Sequence, residues 1–115
     1  MKTWDSDSER KSFASIADAA ERYANELSKR IKNDPKNQSD YVREMHDEHL
    51  AKWYVYDWLA HSSCVESREQ LKAEVRIRID SNFEFRALGV FNKDNFQKHW
   101  RRYMESIIKT YSEAQ

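Results

Sequence analysis

The segment Met45-His46-Asp47-Glu48-His49 is the densest group of possible metal ligands in the sequence. His46 and His49 stand three positions apart, so they share one side of a helix, and neutral imidazole is the commonest metal ligand in proteins. Glu44 or Asp47 could add a third ligand, but the spacing differs from the metalloprotease motif, in which two histidines stand four apart. We expect His49 to pack at the helix edge and His46 to face solvent, with no metal or cofactor bound.

A second candidate for chemistry is the only cysteine, Cys64, which follows His61 by three positions. A nearby base can lower the pKa of a thiol, but a catalytic thiol also needs an orienting acid and donors for an oxyanion. The chain has one glycine, so glycine-built phosphate loops and nucleophile elbows are not available to it. We therefore predict that the protein is not an enzyme, and a metal- or thiol-dependent enzyme is the second alternative.

A third candidate is a basic surface beside Trp100, which could bind phosphates while the indole stacks on a base. The sequence contains 20 basic and 20 acidic residues, and this balance argues against strong nucleic-acid binding. A helical nucleic-acid-binding domain is therefore the first alternative function, not the favoured one. Its candidate residues are Lys98, Arg101 and Arg102 on the last predicted helix, with Arg76 and Arg78.

Apolar residues that recur at steps of three and four predict the helices that position these side chains. The first helix is predicted from about Ser12 to the stop at Asn33-Asp34-Pro35, because the residue before proline is pushed out of helical geometry. The second is predicted to start at Ser39 or Asp40. The third follows the Ser-x-x-Gln capping box at 67–70, and the fourth starts at Asn92 or Asp94.

The third helix has a competing interpretation. Residues 74–80 alternate apolar and charged side chains as a half-buried strand does, and Phe83-Glu84-Phe85 repeats that pattern. A short β-hairpin within residues 73–87 is therefore the alternative for this segment.

These elements predict an all-α fold, a compact bundle of about four helices over residues 12–115, preceded by a flexible arm over residues 1–11. The single cysteine excludes an intrachain disulfide and is typical of a reducing compartment. We expect neither a secretion leader nor a membrane-spanning segment, because the sequence shows no apolar run of the length that either requires. We expect a soluble, cytoplasmic protein that does not contact membranes.

The segment from Trp53 to Leu59 is apolar nearly all round a helix, so this helix is either central or has a side that meets a partner. Trp and Tyr are enriched at protein interfaces, and a small domain has difficulty enclosing four Trp and six Tyr. We predict a protein partner, and the apolar stripe of the last helix is also compatible with a homodimer. The predicted partner-binding residues are Trp53, Tyr54, Tyr56 and Trp58, together with Trp100.

The pattern Glu48-His49-Leu50-x-x-Trp53-Tyr54, followed by Leu59-Ala60-His61, resembles the central helix of the theta subunit of bacterial DNA polymerase III and its phage relatives. Val42 falls in step with it, whereas the region from Ser67 onward has no counterpart in that family. The resemblance implies a non-catalytic helical accessory protein that stabilises a polymerase proofreading subunit. No functional residue of that family is assigned to a position of this chain on the basis of the resemblance.

The segments Tyr23-Ala24-Asn25-Glu26-Leu27 and Trp53-Tyr54-Val55-Tyr56-Asp57 are also similar in style to small phage and plasmid proteins that block host defence enzymes. The neutral charge departs from the acidic DNA mimics among them. Together these observations predict a non-catalytic accessory or inhibitor protein of phage or plasmid type. We expect it to bind a larger protein machine, such as a host DNA-transaction or defence enzyme.

Overall fold

The computed structural model describes residues 4–81 and 90–113, and all regular structure in these two ranges is helical. The helices are α1 (Ser6–Asn33), α2 (Asp40–His61), α3 (Arg68–Asp80) and α4 (Lys93–Glu113), with 3₁₀ turns at Pro35–Asn37 and Ser63–Glu66. The predicted all-α bundle of four helices is thereby confirmed. None of the described helices combines the length and the apolar character that crossing a bilayer requires.

Helix α1 begins at Ser6, earlier than the predicted start near Ser12. The side chain of Asp5 accepts a hydrogen bond from a backbone N–H of the first turn, which satisfies one of the donors that a helix start leaves free. The indole of Trp4 donates to the carbonyl oxygen of Val65 at 2.9 Å. Residues 6–11, which we predicted as part of a flexible arm, are therefore helical and follow an anchored residue.

The predicted helix boundaries elsewhere agree with the structure. Ser39 caps α2, and Ser67 caps α3 by accepting a hydrogen bond from the backbone N–H of Gln70 at 3.1 Å, as its capping box predicts. The side chain of Asn92 accepts from the backbone N–H of Asn95 at 3.1 Å, at the start of α4.

The strand alternative for the third segment is not observed, because residues 73–80 belong to α3. Leu71 and Val75, four positions apart, are fully buried, whereas Ile77 is 60% exposed. A strand would have placed Val75 and Ile77 on the same face, so burial of only one of them reflects the helical period. The remainder of the predicted hairpin, residues 82–87, lies outside the described residues.

Helix α2 is the central element of the fold. Every residue from Val42 to Ala60 is buried or half-buried, and Ala51, Val55 and Leu59 are fully enclosed. Helix α1 packs along one side of α2, α4 packs along another, and α3 packs against α4. The apolar character all round this helix therefore reflects neighbours on several sides.

Side-chain size determines how closely the helices approach. Ala17, Ala20 and Ala24 of α1 are buried at 2–3% exposure on the stripe that contains the other buried residues of that helix. Because a methyl group occupies little space, α1 can lie close to the ring-bearing helix α2. From α4, Phe96 and Met104 are fully buried and complete the core.

Candidate protein-binding surface

The predicted partner-binding residues of α2 are neither enclosed nor fully exposed. Trp53, Tyr54, Tyr56 and Trp58 are all half-buried. Trp100 differs from them, because it is 9% exposed and belongs to the core cluster. Its stripe on α4 faces the interior, so the described fold offers little of this indole to a partner.

The four half-buried rings do not form one surface. Residues two positions apart on an α-helix point in nearly opposite directions, which applies to Tyr56 and Trp58. Tyr56 contacts Phe13 of α1, with ring centroids 5.9 Å apart, and Tyr103 of α4, at 6.4 Å. Trp58 instead lies beneath the guanidinium of Arg78 from α3, 4.2 Å from the ring centroid. The sequence prediction treated these rings as one group because they are all aromatic. In the folded helix, Tyr56 and Trp58 lie on opposite sides.

On the Trp58 side, the aromatic rings are held by each other and by the core. Tyr54 meets Trp53 edge to face, with centroids 4.8 Å apart, and meets the buried ring of Phe96 at 5.5 Å. Arg78 contributes a cation–π contact to Trp58, which is worth about 0.5–1 kcal/mol where the pair is accessible to solvent. The solvent-exposed parts of these rings are therefore held in one orientation by their neighbours.

A second group of aromatic side chains lies on the Tyr56 side and joins three helices. We call it the tyrosine surface, and it consists of Tyr23, His49, Lys52, Tyr56 and Tyr103. Tyr23 is 44% exposed and packs on the imidazole of His49, with ring centroids 4.3 Å apart. Lys52 Nζ lies 5.9 Å from the ring centroid of Tyr103.

Glu48 holds α2 to α4 at the edge of the tyrosine surface. Its Oε1 atom accepts hydrogen bonds from the guanidinium of Arg102 at 2.6 Å and from the hydroxyl of Tyr103 at 3.2 Å. Burial alone raises the pKa of this carboxyl group, but these two hydrogen bonds and the positive charges of His99 and Arg102 outweigh it, so the pKa of Glu48 is lowered. The carboxylate is therefore stabilised in its charged form.

The imidazole of His49 is stabilised in its neutral form. Burial lowers the pKa of His49, the negative charge of Glu48 opposes this effect, and the positive charge of Lys52 adds to it. The expected position of His49 at the helix edge agrees with its half-buried state.

The expectation for His46 was wrong, because this residue is 5% exposed instead of facing solvent. Its Nδ1 atom donates to Oδ1 of Asp47 at 3.0 Å. The fully buried carboxylate of Asp47 also accepts from the backbone N–H groups of Phe91 at 3.0 Å and Asn92 at 2.7 Å. His46 and Asp47 thus support the start of α4, a role that the spacing of the two residues could not reveal.

In residues 4–81 and 90–113, no three side chains of His, Cys, Asp or Glu come together as a metal-binding group. His46 and His49 are engaged in different contacts, with Asp47 and Tyr23 respectively. The side chain of Cys64, the candidate thiol, lies outside the described part of the structure.

A further buried imidazole belongs to His99 of α4, which is 4% exposed. Its Nε2 atom lies 3.4 Å from Oε1 of Glu44, yet neither ring nitrogen makes a hydrogen bond among the described residues. The contact is therefore a long one between an imidazole of α4 and a carboxylate of α2.

The basic candidates for nucleic-acid binding are matched by carboxylates or rings. Lys98 lies 4.0 Å from Glu44, and Arg101 lies 3.4 Å from Glu105. Arg76 shares a cavity of about 300 Å³ with Arg101, but the walls of this cavity also include Asp80 and Glu105. Together with the Arg102–Glu48 and Arg78–Trp58 contacts, these pairs give a surface of mixed charge.

Three residues of the tyrosine surface did not appear among the predicted site residues. Tyr23 and Tyr103 fall on the apolar stripes of α1 and α4, so the sequence pattern classed them with the core. Lys52 directly precedes the aromatic run of α2 and resembles an ordinary solvated lysine. Only the packing of three helices brings the three side chains together.

Comparison of the chain with protein-family models, with curated proteins and with solved structures finds no match. Function must therefore be argued from the residues and their geometry.

Proposed function

We propose that this protein is a non-catalytic accessory or inhibitor protein that acts by binding a larger protein. The observation that carries the proposal is the half-buried state of the aromatic residues of the central helix. Tyr56 on one side of α2, and Tyr54 and Trp58 on the other, each keep part of a ring at the surface.

Fixed, half-buried rings suit protein recognition for a physical reason. A side chain that is already held by its neighbours loses little conformational freedom when a partner covers it, so more of the contact energy contributes to affinity. The ring contacts of Tyr54 with Trp53 and Phe96, and of Tyr56 with Phe13 and Tyr103, provide this ordering before any partner binds. Tyr and Trp also dominate the energetics of known interfaces.

The resemblance of residues 42–61 to the theta subunit helix supplies the first partner to test, a polymerase proofreading subunit. The wider proposal is a phage or plasmid protein that works in the cytoplasm on host DNA-transaction or defence enzymes. A proofreading subunit can be assayed directly for binding.

The experiment compares variants of the two sides of α2 as immobilised baits in a host extract and against the proofreading subunit. Trp58→Leu and Tyr56→Leu remove a ring while they keep an apolar side chain against the core. Loss of a true interface anchor costs at least about 2 kcal/mol of binding, which is roughly a 30-fold loss of affinity. We expect one of these variants to lose a bound protein at that level, whereas the control Lys11→Ala, an exposed position of α1, retains it.

Circular dichroism and thermal unfolding of each variant separate binding from folding. The proposal fails if both ring variants retain every protein that the wild type captures and only lower Tm, because the rings would then serve the core alone.

A further inference from the structure

We propose that the tyrosine surface binds a protein segment that presents a carboxylate to Lys52. This inference rests on the proposed function and deepens it, since it selects one side of α2 and states the chemistry of the partner. Its support is the combination of an unmatched cation with rings that are already ordered.

Lys52 is the charged residue at the centre of this surface. It is half-buried, and its ammonium group lies over the ring of Tyr103, 5.9 Å from the centroid. In the described ranges Lys52 makes no ion pair, in contrast to Lys98 and Arg102 on the neighbouring helix. A cation that has no carboxylate among the described residues is electrostatically incomplete, and a carboxylate brought by a partner would complement it.

The neighbours of Lys52 on α2 explain why no carboxylate in the described ranges pairs with it. A glutamate four positions before a lysine is the most favourable helical ion pair, and Glu48 occupies that position. Arg102 and Tyr103 engage Glu48 instead, through the 2.6 and 3.2 Å hydrogen bonds. The position four residues after Lys52 is Tyr56, which has no negative charge near neutral pH.

The other strongly charged groups near Lys52 are paired with each other, because Glu48 binds Arg102, whose guanidinium lies 5.2 Å from the ring centroid of Tyr103. On α1, Ile16 is half-buried and lies on the same stripe as Tyr23, which contacts α2. On α4, Ser106 and Thr110 lie on the stripe of Tyr103 and are exposed. In a chain with 35% charged residues, a surface of tyrosine, serine and threonine around a lysine that makes no ion pair with the described residues is distinct, and its composition is that of an adaptable protein-binding surface.

The partner class follows from this charge pattern. Nucleic acid would require several unmatched cations along a backbone of phosphates, whereas this surface offers Lys52 and a guanidinium already paired with Glu48. A single acidic side chain flanked by apolar residues fits both the ammonium and the rings.

The test uses a displayed library of random peptides selected on the full-length protein, so that the ligand chemistry is found rather than assumed. Lys52→Met keeps the length and the apolar stem of the side chain, Lys52→Arg keeps the charge, and Lys11→Met is the matched control on an exposed part of α1. We expect selected peptides to contain Asp or Glu beside apolar residues. Their affinity should fall about tenfold with Lys52→Met, and should be largely retained with Lys52→Arg and Lys11→Met.

Three results would overturn the inference in distinguishable ways. Peptides that lose affinity with Trp58→Leu and not with Lys52→Met would place recognition on the other side of α2 and would leave the proposed function standing. Selected peptides that lack acidic residues and bind Lys52→Met with the same affinity as the wild type would show that the ligand does not need a carboxylate. Light scattering that shows a dimer dissociated by Lys52→Met would assign the surface to a second copy of this chain.

Discussion

The carboxylate of Asp47, in the middle of α2, caps the start of α4 by accepting the backbone N–H of Asn92 at 2.7 Å. The same side chain accepts the backbone N–H of Phe91 at 3.0 Å. Asn92 directly precedes the first residue of α4, where a helix start leaves N–H groups without internal partners and carries a partial positive charge, so a buried anion is well placed there. One side chain thus joins two helices that are far apart in sequence.

Replacing Asp47 tests how strongly this cap stabilises the fold. Asp47→Ala leaves two backbone donors and the imidazole of His46 without their acceptor, so we expect the free energy of unfolding to fall by at least about 2 kcal/mol. Asp47→Asn retains a carbonyl oxygen and should cost less. Urea denaturation followed by circular dichroism measures both, with exposed Asp18→Asn as the control. Equal stability of Asp47→Ala and the wild type would contradict the capping role.

The Asp47 cap also marks the limit of what the sequence could predict about the fold. Local signals were sufficient for the helices themselves, since Ser39 and Ser67 cap where their side-chain chemistry predicts. The earlier start of α1 depends on Trp4 and its hydrogen bond to Val65, a contact between residues far apart in the chain. Spacing along one helix does not encode such partners.

The same reasoning applies to the candidate site. Residue type directed attention to the rings of α2, which are half-buried, but it gave no indication that Tyr56 and Trp58 lie on different sides with different neighbours. Glu48 is not available to pair with Lys52 because Arg102, from another helix, already binds it. A competition between helices for one carboxylate appears only in three dimensions.

His49 predicts a loss of stability in mild acid. Burial lowers its pKa below the ordinary value of 6.5, so the unfolded chain takes up a proton more readily than the folded one. The free energy of unfolding should therefore decrease as the pH falls below about 6.5, and His49→Gln should show a smaller decrease between pH about 7.5 and about 5.5. Chemical denaturation at the two pH values provides the comparison. Asn25→Gln, at an exposed position of α1 that does not titrate, is the control and should retain the wild-type slope.

The Glu48 contacts predict a coupling between α2 and α4. Glu48 accepts hydrogen bonds from Arg102 and Tyr103. A double-mutant cycle of Glu48→Gln and Arg102→Met should therefore give a coupling free energy of about 0.5–1 kcal/mol. The coupling is modest because Arg102 is largely exposed to solvent. The pKa of Glu48 is lowered from 4.5, so its stabilisation is present above that pH and is lost as the pH falls through the folded-state value. Stability measurements at pH about 7 give the coupling. A coupling of zero would mean that solvent screens the pair completely.

Tyr111 makes the corresponding prediction for alkaline conditions. Its hydroxyl donates to Oε2 of Glu9 at 2.7 Å, and burial, together with that hydrogen bond and the charge of Glu9, raises its pKa above the ordinary value of 10.0. The unfolded chain therefore loses the phenolic proton first, and the free energy of unfolding should fall as the pH rises above about 10. Tyr111→Phe should be less stable than the wild type near neutral pH by about 1 kcal/mol and should lose less stability in alkali.

Ultraviolet absorbance of tyrosinate, followed with denaturation at each pH, measures the Tyr111 effect directly. Tyr41→Phe is the matched control, because Tyr41 is 67% exposed. If Tyr111→Phe and Tyr41→Phe lose stability in alkali to the same extent, the hydrogen bond to Glu9 does not hold the ends of α1 and α4 together. If Tyr111→Phe loses less stability in alkali than the wild type and Tyr41→Phe does not, the alkaline loss of stability originates at the junction of these two helices.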